Sequence, residues 1–265
     1  MKHRLTALFV ICLAGFAQAE PARPTIVSLD YCADQFVLAL ADRGQILAVS
    51  KDAERQFSYL RRKAAGIPKV RAAAEDVIAL QPDLVVRSFG GDPQALAFYE
   101  RFGIRTVQLG YADDIQGTAR LLREVAAEIG QPGRAEVLID AMPAPQAQRS
   151  ASALYVTPGG VSAGRDTLID AVLRHAGLQN ANDGQGWASL PLEALVRAPP
   201  RLMVTAFFGF DDDATDRWSL SRHPVMQRLI EKADVIEMDE ARISCPAWFI
   251  ADEALAIADA ARGAP

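Results

Sequence analysis

The chain has 265 residues, half of them hydrophobic, with 28 basic against 33 acidic side chains and a formal net charge of −5. That length and apolar share suffice to bury one large core or two smaller ones, and they exclude a disordered chain. The acidic balance, with no basic patch, excludes nucleic acid as a partner.

The first nineteen residues have the composition of an export signal: basic "MKHR", the apolar run "LTALFVICLAG", and small residues at Ala17–Ala19. The run is too short to span a bilayer, and no stop-transfer pattern follows to make it an anchor. Cleavage near Ala19 leaves a soluble, exported chain beginning at Glu20. Without Lys2 and Arg4 it holds 26 basic against 33 acidic side chains, a net charge of about −7.

Short Val/Ile/Leu-rich runs then alternate with helix-like segments. "TIVSL" precedes "DYCADQFVLALA", "ILAVS" follows, "DLVVRS" precedes "GGDPQALAFYERFG", and "RTVQLG" closes the first half. Runs of this kind are buried on both faces of a parallel sheet, so the rhythm predicts an α/β layer fold. Residues 115–150 interrupt it. Leu121, Leu122, Val125, Ala126 and Ile129 fall at helical spacing, Gly130 and Pro132 break the helix, "RAEVLIDAM" resumes it, and "PAPQAQRSAS" reads as a linker. The rhythm returns with "ALYVT", "GGVSAGRDTLIDAVLRHAG", "RLMVTAFF", "VIEMD" and a final helix "PAWFIADEALAIADAA", with Pro246 in its first turn. An internal match supports two similar halves. "EDVIALQPDLVV" from Glu75 and "EALVRAPPRLMV" from Glu193 share glutamate, proline, leucine and valine at equal spacing, a short helix leading through a turn to a buried strand.

Open parallel sheets bind ligands outside the carboxyl ends of their strands. Those ends carry Tyr31, Arg87 and Phe89 in the first half and Ser162, Arg165, Phe207, Phe208, Arg242 and Trp248 in the second; Trp187 lies on the approach to the second copy of the repeat. Aromatics and arginines beside glycines suit a cleft for a medium-sized ligand. Catalytic constellations are thin. Only His175 and His223 remain after cleavage, there is no HExxH, CxxC or phosphate loop, and Asp211–Asp213 reads as an exposed acidic turn, so neither a resident metal nor a cofactor is expected. Cys32 and Cys245 are the two cysteines left. Three readings stay open: a disulfide, a pair of soft metal ligands, or two unrelated small apolar residues. A second class of function, an exported thiol enzyme or redox protein using Cys32, turns on whether that thiol is free.

The exported start, "TIVSLDYCADQFVLALA", "PKVRAAAEDVIALQPDLVV", "GGVSAGRDTLIDAVLRHAGLQN", "WASLPLEALVRAPPRLMVT" and "CPAWFIADEALAIADA" resemble the periplasmic binding proteins of ABC importers for cobalamin and iron–siderophore complexes. The resemblance implies two α/β lobes, residues 20–114 and 151–265, joined by the helical connector and linker 115–150, with a ligand cleft between them. It implies a monomeric, non-enzymatic carrier in the periplasm that captures a metal–chelate complex and delivers it to an ABC permease in the inner membrane. In that family one glutamate from each lobe docks on permease arginines, and the matching residues are Glu75 and Glu193. Tyr31 is the one obvious candidate iron ligand should the cargo be heme. Cobalamin-binding relatives carry a tryptophan shortly before the segment that here reads "AAAEDVIAL", and "PKVRAAAED" has none. Anionic ferric siderophores would suit Arg87, Arg165 and Arg242.

Overall fold

The computed structural model describes residues 23–88, 92–206 and 222–263. The export segment expected at 1–19 lies outside them. No helix among the described residues is long and apolar enough to cross a membrane.

The N-terminal lobe is built on a parallel sheet. Strand β1 (Ile26–Ser28) lies between β2 (Ile46–Ser50) and β4 (Leu84–Arg87), with β3 (Lys69–Val70) and β5 (Arg105–Gln108) at the edges. Side chains alternate across it, as the two-residue strand period demands. Ile26, Leu84 and Val86 face α1 (Tyr31–Leu40), while Val27 and Val85 face the layer of α2 (Ala74–Ala79) and α3 (Pro93–Arg101), where Val77, Ala95 and Tyr99 pack.

The C-terminal lobe repeats the plan. Parallel strands run in the order β11 (Asp234–Glu237), β10 (Leu202–Thr205), β6 (Ser152–Val156), β8 (Gln179–Asn180). Ala153, Tyr155, Leu202 and Val204 face α6 (Leu168–His175) and α10 (Ile250–Gly263). Leu154 and Val156 face α7 (Leu192–Arg197) and α8 (Pro224–Lys232). The internal match folds the same way twice: α2 leads through a turn into β4, and α7 through a turn into β10. An antiparallel ribbon of β7 (Val161–Ala163) and β9 (Trp187–Ser189) was not legible in the sequence, because both strands are only three residues long.

Two segments join the lobes. Helix α4 (Ile115–Ile129) puts Ile115 into the C-terminal core and Leu121, Leu122, Val125, Ala126 and Ile129 into the N-terminal one. It ends at Gly130, whose φ of +78° suits a residue without Cβ, and α5 (Pro132–Asp140) packs back against it. The proline-rich linker then runs extended along the end of α6, with Gln146 N donating to His175 O (2.8 Å) and Arg149 N to Gly177 O (2.8 Å). The second join is the return from α9 (Glu240–Ile243) to α10. The final helix begins at Ile250, four residues later than its first-turn proline suggested. Ser244–Phe249 stays irregular because Cys245, Ala247, Trp248 and Phe249 are committed to the N-terminal core, while Ile250 and Ala251 belong to the C-terminal core.

Candidate functional site

The N-terminal side of the site starts at the carboxyl end of β1. Asp30 caps α1, accepting from Cys32 N (3.1 Å) and Ala33 N (2.9 Å) through one oxygen, and from Ser88 N (2.7 Å) through the other. One carboxylate thus ties together the ends of β1 and β4 and sets where Tyr31 points. The Tyr31 ring is part-buried and stands edge-on to Phe57, centroids 4.9 Å apart. Burial raises its phenol pKa above the usual range, and the Asp30 and Asp52 carboxylates add to the effect. Behind it, Gln35 donates to Tyr31 O (2.6 Å) and Ser58 Oγ (2.8 Å) and accepts from Leu60 N (2.7 Å), so the 51–60 loop is pinned to α1.

The fully buried Asp34 accepts from Ser28 Oγ, from Ser50 N (3.0 Å) and from Ser50 Oγ (2.6 Å). Burial outweighs these donors and lifts its pKa to about 6.

Cys32 and Cys245 are joined in a disulfide, S–S 2.07 Å and Cα–Cα 5.5 Å. The sulfurs are bonded to each other, which removes both the soft-metal reading and the free nucleophile that a thiol enzyme would need. Around the bond, Ser244 Oγ donates to Phe57 O (2.8 Å), Tyr59 stacks on Phe249 (4.1 Å, 23° between planes), and Tyr59 OH reaches Asp252 (3.3 Å). Trp248, expected among the ligand contacts, is 6% exposed and packs edge-on to Phe36 and Phe249. The strand-end rule places its backbone at the end of the sheet, while its ring packs in the N-terminal core with the Cys32–Cys245 disulfide.

On the C-terminal side, Trp187 opens β9, and Arg165 lies two residues beyond the end of β7, bridged to Gln185. Arg165 N donates to Gly184 O (2.7 Å), and Gly186 N donates back to Arg165 O (2.9 Å). The two backbones approach so closely that a Cβ on Gly164 would sit 2.2 Å from Gly184 O, so glycine is required there. Arg165 is exposed, and Trp187 is 52% exposed with its edge on the buried Tyr155 ring (6.0 Å). Ser162 is fully buried instead, its Oγ turned inside the lobe.

The three arginines differ in setting. Arg165 is open to solvent. Arg87 is buried with Tyr99, whose phenol is pushed up by burial and drawn back by the guanidinium. Arg242 is half-buried and paired with Glu253 (3.4 Å) and Asp239 (3.8 Å). Glu253 is itself buried. Its carboxyl is pushed up by desolvation and partly restored by the Asp239 N–H and Arg242. Phe89, Phe207 and Phe208 lie outside the described residues. Sequence reasoning missed Phe57, which faces Tyr31 from a loop with no strand-end position to mark it.

The histidines have structural partners. His175 Nε2 lies 2.8 Å from Pro143 O, and His223 caps α8. Among the described residues, no group of three or more His, Cys, Asp or Glu side chains is arranged to hold a metal. Glu75 and Glu193 are exposed in the first turns of α2 and α7, at corresponding places in the two lobes.

Residues 26–228 match the family described as periplasmic binding protein. Similar solved structures include a periplasmic heme-binding protein from Pseudomonas aeruginosa, 22% identical over 91% of this chain and 94% of that one, TM-score 0.62. The periplasmic heme-binding protein HutB of Vibrio cholerae is 19% identical over 89% and 97%, TM-score 0.66. The periplasmic vitamin B12 binding protein BtuF of Vibrio cholerae is 15% identical over 91% and 97%, TM-score 0.60. At such identities the likeness carries the fold and not the ligand. No curated protein matches the chain. The family match runs from β1 through the connector into α8, and the chain belongs to the periplasmic binding protein family, whose members bind a solute for transport rather than turn it over.

Proposed function

We propose that the protein is exported by cleavage near Ala19 and captures a metal–chelate complex of the iron–siderophore or cobalamin type for an ABC permease. The observation that carries this reading is the chemistry open at the carboxyl ends of the two sheets: the Tyr31–Phe57 aromatic pair on one lobe, and Trp187 beside the exposed Arg165 on the other. Flat apolar faces beside the exposed Arg165, with Arg55 over the Phe57 ring, suit a large, rigid, anionic complex. Arg242 carries less of this role, since Glu253 already balances its charge. The heme reading is second, favoured by the part-exposed Tyr31 ring. Burial, and after it the Asp30 and Asp52 charges, work against it by disfavouring the phenolate that an iron ligand requires. Delivery to the permease uses Glu75 and Glu193, two carboxylates on separate lobes that engage two basic pockets at once.

The test is titration of the oxidised protein with a ferric hydroxamate, a ferric catecholate, cobalamin and hemin, following Trp fluorescence. One metal chelate binds reversibly and leaves unchanged, and Arg165→Ala or Trp187→Ala weakens it about ten- to a hundredfold, the loss of one charge-assisted or aromatic contact. Unchanged affinity in both variants removes this site assignment. A Soret shift with hemin that Tyr31→Phe abolishes puts the heme reading first.

A further inference from the structure

Helices α2 and α3 pack on the N-terminal sheet through Val77, Ala95 and Tyr99, but the neighbouring face of each stays uncovered. Ala74, Glu75, Ile78 and Ala79 from α2 meet Phe98 and Phe102 across a groove of about 420 Å³. Phe98 is 42% and Phe102 62% exposed. Two phenyl rings lining one surface groove, with a single carboxylate on its edge, form a face built to be covered. The charge is available. The neighbouring Asp76 is taken by Arg71, at 2.7 and 3.2 Å, whereas Glu75 makes no hydrogen bond or ion pair among the described residues.

The second lobe repeats half of this arrangement. Glu193 and Val196 stand three residues apart on α7, as Glu75 and Ile78 do on α2, and Val196 is 55% exposed. The partner helix differs: α8, "PVMQRLIEK", has no aromatic residue. Among the described residues the acid is therefore duplicated and the aromatic pair is not.

We infer that the groove between α2 and α3 is the apolar anchor of the permease-docking face. Its occupant is a permease segment that pairs a basic side chain with Glu75 and inserts an adjacent bulky apolar side chain between Ile78, Phe98 and Phe102. The inference rests on the proposed delivery to a permease and adds an asymmetry to it. Both lobes steer by charge, but among the described residues it is the N-terminal lobe that offers an aromatic grip. A permease with two equivalent faces then receives this protein with its lobes energetically unequal, because desolvated aromatic anchors hold a complex while exposed rim charges chiefly speed its formation.

The test places a photo-crosslinking benzophenone side chain at one position at a time in the exported protein, in the cell that makes it. The positions are Phe102 in the groove, Arg197 on α7 and the exposed Val137 on α5 as a control. Irradiation is expected to join positions 102 and 197, but not 137, to a multi-spanning membrane protein. The peptide captured by 102 carries Arg or Lys beside a bulky apolar residue. Phe98→Ser lowers the adduct yield from 102 about tenfold, leaves that from 197 within about threefold, and does not move the melting temperature. An adduct from 197 with none from 102 leaves the docking reading standing and discards the apolar anchor. No adduct from either overturns both. Capture of a second copy of this chain or of a soluble protein at 102, or equal yields with and without Phe98, also overturns the inference.

Discussion

Asp34 shows how much one side chain contributes to the behaviour of the N-terminal lobe. Its pKa is about 6 in the fold against about 3.9 in an unfolded chain, so the folded state holds the proton more tightly. Stability from this residue is therefore full below about pH 4, falls as pH rises through about 6, and is flat above. The total is about 2–3 kcal/mol. Asp34→Asn keeps the shape of the protonated acid and its contacts to Ser28 and Ser50. It is expected to flatten the pH dependence between 4 and 6, and so to gain stability relative to the parent at pH 7. Urea melts across that range check it; parallel curves for the two proteins contradict it. The donors that surround Asp34 are invisible in the sequence, where it reads only as one polar residue in a helical run, because Ser28 and Ser50 come from two different strands. Tyr31 was legible by contrast, since the strand-end rule needs only local order.

At the scale of elements, each connection depends on one or two backbone positions. Gly177 ends α6 at φ +79°, and a Cβ there would stand 2.3 Å from Ala147 O, in the linker that crosses the end of the helix. Gly177→Ala must strain that turn and push the linker away, and is expected to cost about 1–3 kcal/mol, read as a lower melting temperature. A variant as stable as the parent contradicts the tight seating of the linker. The alternation of strands and helices was readable because its signal is local: apolar runs such as "ILAVS" became β2 at the expected residues. The β7–β9 ribbon and the late start of α10 were not. The ribbon exists through Gly164 and Gly186 packing against distant backbone, and α10 starts late because long-range packing holds Trp248 and Phe249 in the other lobe.

For the whole molecule, the return of the chain from the second lobe is fixed to the first by packing and a disulfide. The Cys32–Cys245 bond closes a sequence separation of 213 residues, and a loop of that length contributes about 5 kcal/mol in the chain-entropy account. The sequence offered the pair of exported cysteines but not their proximity, which depends on the return of the chain from the second lobe into the first. Cys32→Ser with Cys245→Ser is expected to lose about 2–5 kcal/mol to denaturant while still folding, since Phe36, Trp248, Tyr59 and Phe249 remain packed. Thiol counting in the denatured, unreduced parent is expected to find neither cysteine free.

The central claim, that this two-lobed protein carries an intact metal chelate between the ends of its sheets, is tested most directly by native mass spectrometry of the exported protein with the ligand it acquires in the periplasm. The account predicts one metal complex per chain, released unchanged on unfolding and retained less by Arg165→Ala. A chain that carries no metal complex, or that returns a chemically altered one, contradicts it.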